Sequence, residues 1–257
     1  MNLSFQWVGG ATFILSIDDV KIAVDPVLCP KGTIQDYFWF KSKRLEDPVY
    51  SKKDFTDIDL WLLTHNHEDH LDEKGLNVIN KNSQVVSNPN TVKKLVKKNL
   101  SKHTILKWGQ ERVYNIKEYS IKVEAISAIH GVNPVSALFA GKVNGYFLTI
   151  KKDTEEVTIY ITSDTVYKTK ILKKLAHRKI DLLIPNMGAA KQGSWIMTLT
   201  LNARMLKKMI AKLNPKAIIP VHYGTFQHYV EPVEELQKID DARIKIVPVG
   251  SSTVFSF

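Results

Sequence analysis

Short runs of apolar or alternating residues open the chain. Residues 3–8, 12–17 and 20–24 have the period-two or continuous apolar character of strands, and Gly9-Gly10 and Asp18-Asp19 between them are turn formers spaced for tight hairpins. This predicts an antiparallel meander. From Asp25-Pro26 to Phe55 no period is sustained, and an aperiodic stretch of about thirty residues points to a functional loop, such as a lid, or an insertion. It contains Tyr37-Phe38-Trp39-Phe40 followed by Lys41, Lys43 and Arg44. Aromatics usually go inside, so a core or subunit contact is the first reading of that run; base stacking or contact with a membrane surface are the alternatives.

Beyond residue 55 the two periods alternate. Strands are predicted at 60–63, 84–86, 121–129, 146–150, 157–161, 181–184, 217–221 and 244–247. Helical faces lie between several of them. Asn90 can cap a helix in which Val92, Leu95, Val96 and Leu100 oppose Lys93, Lys94, Lys97 and Lys98. Ile171, Leu172 and Leu175 oppose Lys173, Lys174 and Arg178, and Leu206, Met209, Ile210 and Leu213 oppose Lys207, Lys208 and Lys212. Such lysine-rich faces read as the solvated outsides of helices packed on a sheet.

Composition narrows the class. With 257 residues, 44% hydrophobic and 24% charged, the chain has the makeup of an ordinary globular protein, and the lack of a linker or repeat predicts one domain over residues 1–257. A single cysteine, Cys29, excludes an internal disulfide and a cysteine-only metal cage. No signal-like start or apolar run of about 18 residues is evident, so the expected location is the cytoplasm. The net charge of +10 favours anionic partners in general, leaving nucleic acid, phospholipid and small phosphorylated molecules as candidates. A homo-oligomer is compatible with this reading.

One cluster changes the picture. Thr64 to Asp72 reads T-H-N-H-E-D-H-L-D, placing His65, His67, Asp69 and His70 in the pattern H-x-H-x-D-H directly after the apolar run 60–63. Imidazoles and carboxylates without thiolate suit zinc or a similar divalent ion. Residues i and i+2 on an extended segment can converge on one ion while the next two diverge toward a second. Further candidates stand where other apolar runs end: His130 after 121–129, Asp164 after 157–163 and His222 after 217–221. Ligand sites in sheet proteins form where strand ends converge, so these distant residues can meet.

Trp7 to Thr12, Val24-Asp25-Pro26, Thr64 to Asp72, Ser127 to His130, Ser163-Asp164-Thr165 and Ile219 to Phe226 together resemble the metallo-β-lactamase-fold hydrolases. They are similar in particular to the branch containing N-acyl phosphatidylethanolamine phospholipase D and the L-ascorbate-6-phosphate lactonase. The resemblance covers nearly the whole chain and implies an α+β fold, a four-layer αββα sandwich with its metals at one edge. It implies that His65, His67 and His130 bind one ion, that Asp69, His70 and His222 bind the other, and that Asp164 bridges them. Asp25 would orient the site from behind the ligands. Where many relatives read G-D-T, this chain has Ser163-Asp164-Thr165.

The expected cofactors are two divalent ions, zinc first, with manganese or iron as alternatives. A paired site implies a bridging hydroxide, oriented by Asp69, attacking an ester, lactone or phosphodiester of a small or lipid-like anionic substrate. Lys191 and Tyr223 are the candidates for substrate contact. A nucleic-acid-processing metallo-nuclease is the alternative, prompted by the positive charge.

Overall fold

Both predicted tight turns close hairpins. The structure, a computed structural model, describes residues 1–37, 40–100, 102–132, 142–191 and 198–257. β1 (Asn2–Gly9), β2 (Thr12–Ile17) and β3 (Val20–Val24) pair antiparallel, with Leu3 opposite Ile17 and Phe13 opposite Val24. β6 (Leu60–Leu63), β7 (Gln84–Ser87) and β8 (His103–Ile105) extend this sheet in parallel from β3, and β15 (Ser252–Ser256) closes its other edge against β1. Between them the chain forms a small separate hairpin of β4 (Ile34–Tyr37) and β5 (Phe40–Lys43), which lies within the aperiodic stretch. Phe38 and Trp39 of the aromatic run lie outside the described residues.

The second sheet has the order β14-β13-β12-β11-β10-β9 among the described residues. Its strands are β9 (Glu111–Ile116), β10 (Tyr119–Ala128), β11 (Val143–Lys152), β12 (Glu155–Ser163), β13 (Leu182–Pro185) and β14 (Ala217–Ile218). β9 to β12 are antiparallel; β13 and β14 join parallel.

Strand alternation places the layers. Leu60 and Leu62 of β6 belong to the apolar core between the sheets, whereas Trp61 and Leu63 point to the other side, where they pack with Leu76, Ile79, Leu95 and Leu100. That outer side carries α1 (Glu73–Val78) and α2 (Val92–Lys97). The second sheet is covered by α3 (Thr169–Leu175) and α4 (Ala203–Leu213), which bury the apolar faces read from the sequence. Asn202 caps α4 by accepting from the Met205 amide, and left-handed Asn214 ends it. A last helix, α5 (Val233–Gln237), buries Leu236. The order helix, sheet, sheet, helix is the four-layer α+β sandwich of the metallo-β-lactamase fold.

Three expectations are corrected. Residues 244–247 form no strand: Ile244 makes an isolated bridge to Ile218, and Pro248 follows with no amide to continue the ladder. The run 217–221 pairs regularly only at its first two residues; the Ile219 and Val221 amides still donate to Leu183 O and Pro185 O, and Pro220 between them has no amide to offer on the opposite side. In α2 the helix stops at Lys97; left-handed Asn99 folds Leu100 back under it, while Val96, predicted to be buried, is 59% exposed.

Candidate metal centre

Four strand ends deliver seven donors to one place. His65 to His70 follow β6, His130 follows β10, Asp164 follows β12, and His222 lies in the loop after β14. His65, His67 and His130 form one set of mutually close ligand atoms, and Asp69, His70, Asp164 and His222 form another; within each set all these atoms lie within 4.8 Å of one another. The Asp164 carboxylate faces both. Its Oδ1 is 3.2 Å from His70 Nε2 and 3.4 Å from His222 Nε2, and its Oδ2 is 3.7 Å from His130 Nε2.

Backbone geometry aims these side chains. Asp25, Ser163 and His222 all have positive φ, of 41°, 53° and 66°, conformations that non-glycine residues adopt only when their surroundings enforce them. Gly188, itself at φ +87°, allows the His222 backbone to approach so closely that an added Cβ would lie 2.6 Å from the His222 carbonyl oxygen. The His222 amide donates to Gly10 O at 3.1 Å, tying the ligand to the first hairpin turn.

The imidazoles are fixed from behind. Asp25 accepts from the Thr64 amide (2.7 Å) and hydroxyl (2.5 Å), and its Oδ2 lies 2.7 Å from His70 Nδ1. His130 Nδ1 is 3.0 Å from Leu199 O, and His222 Nδ1 is 3.3 Å from Met187 O. These contacts orient the Nε2 atoms of the three rings into the cluster. Asn186 Nδ2 donates to Asp164 Oδ1 at 2.9 Å. Asp72 caps α1 through the Gly75 amide and accepts from the Leu28 and Cys29 amides, joining the end of the motif to the loop after β3.

The donor set fits divalent ions. Burial and the neighbouring histidines hold His65 well below the usual histidine range; the same causes push His67 down to about 3, and burial lowers His130, so these rings are neutral ligands. Burial alone would raise Asp69 and Asp164, yet both carboxyls are held well below their ordinary value. Hydrogen bonds from His222 and His228 do this for Asp69, and the fields of His222 and His70 for Asp164. His70 is raised far above the histidine range because Asp164 and Asp25 outweigh its burial. With His65, His67 and His130 neutral and two buried carboxylates ionised beside them, the donor set suits divalent cations. Nitrogen atoms also converge where no more than one proton fits between them: His65 Nε2 and His67 Nδ1 are 3.1 Å apart, as are His70 Nε2 and His222 Nε2. Among the described residues, Asp69 Oδ1 is buried without a hydrogen-bond partner.

Two residues not anticipated from the sequence complete the site. His228 Nε2 and the Tyr229 hydroxyl each donate to Asp69 Oδ2 at 3.0 Å, and the Ser42 hydroxyl lies 2.6 Å from His228 Nδ1. With Asp69 ionised, Nε2 carries the proton and Nδ1 accepts from Ser42. The β4–β5 hairpin thereby reaches the site. Tyr37 sits 5.4 Å, centroid to centroid, from His228 and edge-on to His67 at 6.2 Å, while Phe40 stacks on Tyr37 at 4.8 Å.

Tyr223 is placed elsewhere. Its ring packs on Trp7 at 4.7 Å in the core between the sheets, so the phenols beside the donors are Tyr229 and Tyr37 instead. The Lys191 amide donates to His228 O at 3.0 Å, which brings its backbone near the site; among the described residues no hydrogen bond joins its side chain to the seven donors.

Comparison with known proteins agrees with this architecture. Residues 4–222 match the family described as the beta-lactamase superfamily domain. The chain is 24% identical over 269 residues to N-acyl-phosphatidylethanolamine-hydrolyzing phospholipase D 1 of Caenorhabditis elegans, covering 98% of this chain and 74% of that protein. It is 27% identical over 205 residues to a metal-dependent hydrolase of Pyrococcus furiosus, covering 78% and 83%. Among solved structures, a protein described as a possible metal-dependent hydrolase from Veillonella parvula DSM 2008 superposes with a TM-score of 0.84 at 21% identity, covering 98% of this chain and 99% of that one. With most of its length matched, its sandwich fold and its seven converging donors, the chain belongs to the beta-lactamase superfamily as a metallo-β-lactamase-fold hydrolase.

Proposed function

We propose that this protein hydrolyses an ester, lactone or phosphodiester bond of a small or lipid-like anionic substrate at a pair of divalent ions, zinc first. The observation that carries the proposal is the division of the Asp164 carboxylate, one oxygen toward each donor set. His65, His67 and His130 would hold one ion, Asp69, His70 and His222 the other, and Asp164 both. When bound, such a pair supplies Lewis acidity and brings the pKa of water toward neutrality.

The chain's own groups account for the remaining roles. His228 and Tyr229 fix Asp69 through Oδ2, the oxygen that also lies 3.5 Å from His222 Nε2, and leave Oδ1 without a hydrogen-bond partner among the described residues, able to orient a water for attack. Burial, reinforced by the Asp69 charge, keeps the phenols of Tyr37 and Tyr229 protonated far above neutral pH. A protonated phenol beside the site can donate to an oxygen that gains charge as a bond breaks. The phosphodiester class is favoured by the similarity to the nematode enzyme, whose name states that it hydrolyses N-acyl phosphatidylethanolamine.

The test is a substrate panel on zinc- and manganese-reconstituted protein: bis(p-nitrophenyl) phosphate, N-acyl phosphatidylethanolamine vesicles, phosphorylated lactones and single-stranded RNA. Metal-dependent turnover of one of the first three, abolished by a chelator, is expected. Rapid cleavage of RNA at physiological salt with none of the others turned over would replace this reading by the nuclease.

A further inference from the structure

The lysine face of α2 is not uniform. Lys93 and Lys97 are exposed, but the Lys94 side chain is only 25% exposed and turns inward onto the H-x-H-x-D-H loop. Its ammonium reaches three acceptors: Asn66 O at 2.9 Å, the Glu68 carboxylate at 2.8 Å and Leu71 O at 2.7 Å. A lysine ammonium has three N–H donors, so its hydrogen-bonding capacity is filled.

We propose that Lys94 is a positioning residue for the metal centre, clamping the 66–71 segment from outside so that His67, Asp69 and His70 are presented together. The three acceptors bracket those three donors in sequence. Within the segment the described backbone bonds are those from the His70 and Leu71 amides to His67 O, a single turn, so the loop depends on outside partners for its shape. Glu68 continues the connection inward: its carbonyl accepts from Gln35 Nε2 at 2.7 Å, and Gln35 Oε1 accepts from the Tyr37 hydroxyl at 2.6 Å. The loop is thus held between α2 and the β4–β5 hairpin. A cation this close to a site for divalent ions is electrostatically unfavourable unless it is paired, and Glu68 supplies the pair. An exposed Lys–Glu pair would contribute little, but two of the three bonds here go to main-chain carbonyls, which fix backbone position. Arginine cannot substitute freely, since a planar fork does not match three acceptors arranged around one nitrogen.

This inference rests on the metal-centre reading, and the experiment separates the two. Zinc affinity of the full chain is measured by competition with a chromophoric chelator, and thermal melts are recorded with and without zinc, for the wild type and the Lys94→Met, Lys94→Arg, Glu68→Gln and Lys93→Met variants. Lys94→Met is expected to weaken zinc binding at least tenfold and to shrink the zinc-induced rise in melting temperature. Lys93→Met should match the wild type. Glu68→Gln, which keeps both carbonyl bonds, should lose less affinity than Lys94→Met. Should Lys94→Met not fold, Lys94→Arg carries the test, with a loss of at least threefold expected. Unchanged affinity in the folded Lys94 variant, or equal losses of melting temperature with and without zinc, would make Lys94 a merely structural residue and overturn the proposal. A Glu68→Gln loss as large as that of Lys94→Met would overturn the carbonyl clamp. Failure of the wild type itself to bind zinc would sink the metal reading beneath it.

Discussion

His70 and Asp25 form a fully buried pair, with Nδ1 and Oδ2 2.7 Å apart, and the same aspartate accepts from the Thr64 amide and hydroxyl one residue before the motif begins. One carboxylate therefore sets both the start of the ligand loop and the orientation of a ligand within it. Asp25→Asn keeps an acceptor for the Thr64 amide and tolerates the left-handed backbone at φ 41°. It removes the charge facing His70. Metal affinity is expected to fall by about 10- to 100-fold, the usual effect of losing such a partner, with the circular dichroism spectrum unchanged. A metal titration in which the variant equals the wild type would deny Asp25 this role.

Ser163 holds a backbone conformation that favours glycine. It sits at φ 53° with its hydroxyl buried and unpartnered among the described residues. Ser163→Gly would relieve left-handed strain of about 1–2 kcal/mol and an unsatisfied polar group costing about 1–3 kcal/mol, against about 0.5–1 kcal/mol of added chain entropy. At the low end of these ranges the net gain is about 1 kcal/mol, a rise of at least about 2–4 °C in melting temperature for a chain of this size. Calorimetry showing a fall would mean that the serine hydroxyl has a partner in solution.

The sequence carries the metal donors because their chemistry is rare and their positions are local: the motif follows an apolar run, and His130, Asp164 and His222 each follow another. The first meander is equally legible, since its alternation and turn residues agree. His228 escaped because its partners, Asp69 and Ser42, are 159 and 186 residues away, and a histidine six positions after His222 in an aromatic loop was the only local sign. The β4–β5 hairpin lacks alternation because it is a small separate pair that covers the site and does not extend a main sheet.

The lysine faces teach a different lesson. Helical periodicity assigns Lys93, Lys94, Lys97 and Lys98 alike to the solvent, yet Lys94 reaches the metal loop and Lys98 reaches Asn77 Oδ1 at 2.7 Å. A long side chain can curl back over the edge of its helix, and periodicity places only the Cβ. Replacing all four by glutamine would therefore disturb the site, contrary to what a uniformly solvated face implies.

Acid stability should depend on Asp181. The Thr158 amide and hydroxyl each donate to its Oδ2 at 2.9 Å, and the Lys216 ammonium lies 2.9 Å from its Oδ1. Burial alone would raise this carboxyl, but Lys216 and Thr158 hold it below its ordinary value of 3.8. A group whose folded pKa is depressed contributes stability above its unfolded pKa and loses it as the pH falls through the folded value. The contribution is thus full at neutral pH and disappears below about pH 4. Asp181→Asn should lower stability at pH 7 by about 1–3 kcal/mol and flatten the acid limb of a denaturant-melt series. An acid limb as steep as that of the wild type would place the titrating group elsewhere.

Asp164 gives the most direct test of a two-ion site. Its oxygens face separate donor sets, Oδ1 toward His70 and His222 and Oδ2 toward His130. Asparagine is nearly isosteric, so Asp164→Asn should fold, but its amide carries no charge and its nitrogen has no lone pair to offer a metal. The Asn186 amide already donates to Oδ1, which favours keeping the asparagine oxygen on that side and turning the nitrogen toward His130. Loss is therefore expected first in the set of His65, His67 and His130. Elemental analysis after zinc reconstitution should fall from near two ions per chain toward one, and turnover of any substrate identified should drop by orders of magnitude. A variant that still holds two ions would show that the sets fill independently of the carboxylate between them. Fewer than one ion in the reconstituted wild type would rule out the paired site altogether.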